Sequence, residues 1–260
     1  MNATIIRENR EYWTRRAPGY SRINREELAT DQRRLWGQAL KERISARFPG
    51  RAPEAIEILE VGTGPGFFAI LLAEAGCRVT AIDITPSMLT EARRNAGALS
   101  DRIAFMEMNA HALGFEDGRF DAVVSRNVTW NLPDPMAAYR EWTRVLKPGG
   151  LLLNFDANWY RYLYDGDARD AFERDRAKSA EADMGDLNVG ENFDWMEDIA
   201  RRMPLSRIDR PQWDVNALTS LGMAVETDRR IWERVWSRQE KINFASTPMF
   251  LVCGYKGEAR

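Results

Sequence analysis

Between residues 55 and 155, short apolar runs alternate with stretches whose apolar positions recur every three or four residues, a pattern of buried strands joined by amphipathic helices. Residues 55–61 predict a first strand that runs into glycines at 62, 64 and 66. A helix carrying Phe67, Phe68, Ile70, Leu71 and Leu72 follows, and Gly76 stops it. Residues 78–83 read as a second strand, with Thr85 as N-cap and Pro86 in the first turn of a helix that reaches about Asn95. Residues 103–108 and 121–125 give the third and fourth strands. Asp134 and Pro135 repeat the cap and proline for a helix ending near Leu146, and Lys147-Pro148-Gly149-Gly150 turns the chain into a fifth strand at 151–155. Strand and helix in alternation imply a parallel sheet.

Beyond residue 158 the pattern changes to aromatic and charged helices up to about residue 207, far longer than the ~2–6 residues of an ordinary αβ connection. This stretch is expected to form a lid. A short helix at 214–221 leads to strands at 224–232 and 249–255, expected to be antiparallel because no crossover helix fits between them. The predicted fold class is α/β, a Rossmann-like doubly wound sheet, mostly parallel with an antiparallel last strand, plus a helical lid. Its parts are an N-terminal helical segment covering the active site (1–52), a cofactor-binding core (53–158), the lid insertion (159–207), and a C-terminal helix with strands that complete the sheet (208–260).

Composition narrows the ligand class. With 260 residues, 44% of them apolar, the chain can build one large core. Lys and Arg number 37 against 39 Asp and Glu, a net charge of −2, so nothing in the overall charge favours nucleic acid or an anionic membrane, and a small-molecule substrate is expected. Residues 1–52 are basic and residues 165–186 acidic, which predicts attraction between them. Cys77 and Cys253 lie in apolar stretches, where thiols are buried hydrophobes rather than disulfide or metal partners, and no metal is expected. The charged residues 1–16 contain no apolar signal core, and the longest apolar run, 67–73, is too short for a bilayer, so the expected location is cytoplasmic. Monomer and homodimer are both compatible with the pattern.

In an open α/β sheet the ligand sits beyond the carboxyl ends of the strands where strand order reverses, and backbone must come close to it there. The spacing here is Gly62-Thr63-Gly64-Pro65-Gly66, with Phe67 where a dinucleotide fingerprint places its third glycine. Asp83, at the end of the second strand, suits the hydroxyls of an adenosine ribose, a requirement shared by NAD and S-adenosylmethionine. S-adenosylmethionine has an ammonium and a sulfonium and no pyrophosphate, so the acidic Glu60 entering the turn favours it.

At this point residues 56–156 resemble the class I S-adenosylmethionine-dependent methyltransferases, the small-molecule branch in particular. The resemblance lies in five phrases in order. They are Leu59-Glu60-Val61-Gly62-Thr63-Gly64-Pro65-Gly66; Ala81-Ile82-Asp83 with Pro86-Ser87-Met88-Leu89; and Asn109-Ala110 with Phe115-Glu116-Asp117-Gly118-Arg119-Phe120-Asp121. Then come Ser125-Arg126-Asn127-Val128 with Leu132-Pro133-Asp134-Pro135, and Arg144-Val145-Leu146-Lys147-Pro148-Gly149-Gly150. The resemblance implies that S-adenosylmethionine binds and leaves as S-adenosylhomocysteine. Glu60, Gly62, Thr63, Gly64 and Gly66 would shape the methionine end, Asp83 would hold the ribose, and Ile84 or Met88 would pack on the adenine. Asn109 and the Ala110 amide would read the adenine edge, with His111, Arg126 and Asn127 as further pocket residues. The family usually has aspartate at position 109; the amide oxygen of Asn109 can still accept from an exocyclic amine.

Methyl transfer from a sulfonium is an in-line displacement that depends on alignment and dryness, so no obligatory catalytic group is expected. Relatives that methylate hydroxyls often carry histidines after the fourth strand, whereas this chain has Val128-Thr129-Trp130-Asn131 there, and its only histidine is His111. The expected acceptor is a nitrogen, sulfur or oxygen nucleophile. Trp13, Tyr20, Asn127, Trp130, Asn158 and Trp159 are the expected substrate or gating residues, their rings suited to excluding water and holding a flat or cationic molecule. Two other readings stand beside this one: methylation of RNA or protein, and a binding module that holds the cofactor without catalysis.

Overall fold

The computed structural model describes residues 2–183, 185 and 193–258; the expected lid positions 184 and 186–192 lie outside them. Two N-terminal helices, α1 (Asn2–Leu28) and α2 (Asp31–Arg47), precede the first strand, β1 (Glu57–Val61). The chain continues as α3 (Phe67–Glu74), β2 (Arg78–Asp83), α4 (Pro86–Ala96), β3 (Ile103–Glu107), β4 (Phe120–Arg126), α5 (Pro135–Val145) and β5 (Leu146–Asp156). Next come α6 (Gly166–Glu181), α7 (Phe193–Ala200) and α8 (Gln212–Ser220), then β6 (Ala224–Asp228), α9 (Ile231–Val235), α10 (Arg238–Asn243) and β7 (Phe250–Tyr255).

The seven strands form one sheet in the order β3-β2-β1-β4-β5-β7-β6. Strands β1 to β5 are parallel, and β7 runs antiparallel to both neighbours, pairing Leu153 with Cys253 and Glu226 with Cys253. Successive strands move outward from β1 on one side, and the chain then returns to place β4 on the other. The carboxyl ends of β1 and β4 therefore flank a crevice.

Side-chain alternation explains why both faces are covered. Ile58, Val79, Ala122, Leu151 and Leu153 point to the face packed by α2 and α3, where Trp36 meets Phe68 at 5.1 Å between ring centroids. Leu59, Ile82, Val123, Leu152 and Val252 point to the other, packed by α5 and α8 with Tyr139, Trp142 and Leu218.

Several local expectations need correction. Residues 53–55 form a 3-10 turn rather than the start of β1, and β5 begins at Leu146, its register against β4 shifting between Phe120 and Ala122. Asp134 does cap α5, accepting from the Ala137 N–H at 2.9 Å, whereas Thr85 precedes α4 without a side-chain cap. The strand expected to reach 232 stops at Asp228, and the short helices α9 and α10 fill the connection thought too short for one. These helices are 5 and 6 residues long, too short for apolar periodicity to register.

The expected attraction between basic 1–52 and acidic 165–186 takes another form among the described residues. The N-terminal helix meets α7 instead, with Arg202 paired to Glu8 at 2.6 Å and Tyr12 edge-on to Trp195. Cys77 and Cys253 are buried and unpaired, and burial pushes both thiols up to about 11. Among the described residues no helix is long and apolar enough to cross a membrane, and no cluster suits a metal ion.

Candidate active site

The crevice at the ends of β1 and β4 is a cleft with about 1020 Å³ of empty space, its open mouth included, and α1 lies over it. One wall is the turn after β1. Gly62 and Gly64 hold φ of 68° and 51°, in the left-handed region where a side chain is strained. At Gly62 space is a second constraint, since a Cβ would lie 2.4 Å from Cγ2 of Val128. Asn95 of α4 donates to the Pro65 carbonyl at 3.0 Å and so ties this turn to the neighbouring helix.

Two carboxyls bracket the turn. Glu60, 3% exposed, accepts from the Thr63 hydroxyl at 2.6 Å, and burial pushes its pKa up to about 8. Asp83 is fixed by two backbone donors, the Gly64 N–H at 2.9 Å on Oδ2 and the Thr85 N–H at 2.8 Å on Oδ1. Burial raises the Asp83 carboxyl against the lowering effect of those bonds. The Thr85 hydroxyl and the Ile84 N–H also act on this carboxyl, which lies on the wall of the cleft.

The opposite wall follows β4. Arg126 is paired to Glu27 of α1 and lies over the rings of Trp36 and Phe67, each 4.8 Å from its guanidinium carbon. Burial opposes the charge, but Glu27 prevails and holds the guanidinium above its ordinary value. Asn127 has φ of 58°, rare for a residue with a side chain, and its backbone N–H donates to the Phe155 carbonyl at 2.8 Å. Its side-chain oxygen is enclosed without a partner among the described residues, while its amide reaches the Tyr20 hydroxyl, which burial pushes up.

The floor and far end are Ile84, Met88, Met108, Asn109, Ala110, His111, Leu132 and Pro133. Asn109 accepts two bonds on Oδ1, from the His111 N–H at 3.0 Å and from Nδ1 of the ring at 2.8 Å. The expectation that this oxygen would be available to a ligand therefore fails, because both of its lone pairs are spent locally. Burial lowers the His111 pKa, with Asp134 acting the other way.

The structure thus brings Glu60, Gly62, Thr63, Gly64, Asp83, Ile84, Met88, Asn109, Ala110, His111, Arg126, Asn127, Trp13 and Tyr20 to one cleft. Four expected site residues are placed elsewhere. Gly66 starts α3 with φ of 93°, and its missing side chain admits Ala92 of α4, whose Cβ would be 3.0 Å away. Trp130 donates from Nε1 to the Asn127 carbonyl at 2.9 Å and packs on Tyr160, so it supports the loop from behind. Asn158 is spent on Asp209 and the Arg210 backbone, and Trp159 packs edge-on to Phe244. None of the described residues of 159–207 lines the cleft; its cover is α1.

Three of the residues missed in the sequence, Ile6, Asn9 and Asn24, are on that helix; with the expected Trp13 and Tyr20 they share one helical face, a signal present in the sequence but of mixed polarity. Asn131 was also missed: its amide donates to Asn9 Oδ1 at 3.0 Å, and Asn9 donates to the Asn131 carbonyl at 3.1 Å, clasping α1 to the β4 loop.

A buried polar network backs this loop. Arg210, fully buried, pairs with Asp156 at 2.8 Å and Asp214 at 2.7 Å, and Asp156 accepts from the Thr129 hydroxyl at 2.7 Å and the Trp130 N–H at 3.0 Å. Tyr139 donates to Asp214 at 2.6 Å. The loop that carries Asn127 is thereby fastened to α8 and β5.

Comparison with known proteins gives the site a context. Residues 59–154 match the family profile described as a methyltransferase domain. A demethylmenaquinone methyltransferase of Thermus thermophilus is 42% identical over 105 residues, 40% of this chain and 47% of that protein. The ubiquinone/menaquinone biosynthesis C-methyltransferase UbiE of Paracoccus denitrificans is 36% identical over 145 residues, 51% of this chain and 54% of that protein. The chain spans about half the length of these curated relatives. Among solved structures, a putative S-adenosyl-L-methionine-dependent methyltransferase from Methanococcus maripaludis superposes with a TM-score of 0.57 at 21% identity, covering 95% of this chain and 94% of its own, a likeness of fold.

Proposed function

We propose that this chain, whose residues 59–154 match a methyltransferase-domain profile, is a class I S-adenosylmethionine-dependent methyltransferase that binds its cofactor in the cleft beneath α1 and transfers the methyl group to a small molecule. The observation that carries this reading is the pair of carboxyls on either side of the glycine turn. Glu60 is a buried acid raised to about 8, an environment in which an adjacent ammonium would be strongly favoured. Asp83 is pinned by backbone donors at the edge of the cleft, where its carboxyl can accept from ribose hydroxyls. Ile84, Met88, Met108 and Leu132 provide apolar walls for a flat purine. The residues present therefore fit the group.

Bound there, the cofactor supplies an electrophilic methyl on a positively charged sulfur. The chain's own part is to position and to exclude water. Gly62 and Gly64 let backbone approach closely, Arg126 and Asn127 hold the wall at the end of β4, and α1 closes the top with Trp13 and Tyr20. Arg126 links those last two tasks, since its ion pair to Glu27 ties the cover to the wall.

The acceptor is a small, flat molecule. Trp13, Tyr20 and Ile6 of α1 form an aromatic and apolar lining for it. The nitrogen, sulfur and oxygen nucleophiles expected from the sequence are joined by carbon, because the matched relatives include quinone C-methyltransferases. A cell extract incubated with the protein and methyl-deuterated S-adenosylmethionine tests this. A small metabolite carrying three deuterons is the expected product; label confined to RNA or protein, or absent altogether, contradicts it.

A further inference from the structure

Three atoms around His111 determine the state of its ring. The backbone N–H of His111 donates to one end of the Asn109 side chain at 3.0 Å, and a backbone N–H only donates, so that end is the oxygen. The same oxygen lies 2.8 Å from Nδ1 of the ring, so Nδ1 must carry the proton. In the neutral ring Nε2 is then a bare lone pair, an acceptor. Burial favours that neutral form. Nε2 is enclosed, yet meets no donor among the described residues, although His111 lines the cleft at the end formed by Met108, Ala110 and Leu132. A buried acceptor left without a donor is destabilising, so a ligand that supplies one is favoured.

We propose that Nε2 of His111, and not the side chain of residue 109, receives the exocyclic amine of the cofactor's adenine. The inference rests on the methyltransferase reading, which places an adenosyl group in this cleft. Asn109 acts one step back, as the group that fixes the ring's tautomer. His111 then distinguishes adenine from purines that lack an amine at the same position.

His111 is the only histidine in the sequence, so the imidazole can be observed without assignment. Tag-free protein labelled with 15N-histidine is titrated with S-adenosylhomocysteine and with its 6-deamino analogue, in which purine replaces adenine. The free protein is expected to show a protonated Nδ1 and a bare Nε2. S-adenosylhomocysteine should move the Nε2 resonance toward the hydrogen-bonded position, and the deamino analogue should leave it in place. Calorimetry should show about 5- to 10-fold preference for S-adenosylhomocysteine over the analogue. That preference should survive in Asn109→Ala and in His111→Gln, whose side-chain oxygen reaches the place of Nε2, and should vanish in Asn109→Ala/His111→Leu. A proton on Nε2 in the free protein, equal shifts with both ligands, or loss of the preference in Asn109→Ala alone would overturn the proposal. If neither ligand binds the wild-type chain, it is the methyltransferase reading itself that fails.

Discussion

Binding of S-adenosylhomocysteine should expel a proton from Glu60. In the unliganded protein burial raises this carboxyl from 4.5 to about 8. At pH 7 a group with that value is about 90% protonated, and an ammonium placed beside it would ionise it, releasing about 0.9 proton per ligand. The same displacement has a stability consequence. A shift of roughly 3.5 units corresponds to about 5 kcal/mol. Because the folded value lies above the unfolded one, this stability is present below about pH 4.5 and is lost as pH rises through about 8. The unliganded protein should therefore lose melting temperature across that window, and saturating ligand should flatten the loss. The assay is calorimetric titration at pH 7 in buffers of different ionisation enthalpy, where the slope of apparent heat against buffer enthalpy counts protons. Wild type should give a slope near −0.9, the sign of proton release, and Glu60→Gln should give a slope near zero. Heat that is independent of buffer in the wild type, or equal release in the variant, would show that Glu60 does not ionise on binding.

Asp83→Ala removes the expected ribose anchor, so ligand at 100 times the wild-type Kd, which should stabilise the native chain by about 2.7 kcal/mol, should no longer raise the melting temperature. Gly62→Ala should destabilise by about 1–3 kcal/mol, since its Cβ meets Val128 at 2.4 Å and φ is 68°; Val128→Ala should recover the part due to the clash and leave the backbone strain, a split that urea unfolding can read. Arg210→Met would leave Asp156 and Asp214 buried without their cation and should cost about 3–5 kcal/mol, seen as a lower urea midpoint; an unchanged midpoint would show that the network does not hold the β4 loop.

Much of the sheet was legible because its signals are local. The apolar runs at 78–83 and 103–108 and the prolines at 86 and 135 mark strand and helix boundaries within a residue or two of their observed places. The glycine turn and Asp83 were legible for the same reason, since a positive φ and a carboxyl at the end of a strand leave marks at single positions. What the sequence hid depends on partners far along the chain. Trp130, Asn158 and Trp159 cluster near the strand ends in sequence, yet Tyr160, Asp209 and Phe244 claim them in space. The Arg210 network joins residues 54 positions apart, and nothing near Asp156 announces its cation. Asn109 shows another case: it lines the cleft, but its side-chain oxygen is engaged by a histidine two residues away.

A crystal structure with S-adenosylhomocysteine should show the ligand beneath α1, held by the turn from Gly62 to Gly66 and the carboxyl of Asp83. The two ribose hydroxyls are expected on Asp83, the ammonium beside Glu60 and the adenine between Met88 and His111. A ligand bound outside this cleft, or an Asp83 carboxylate making no contact with it, would overturn the assignment of the site.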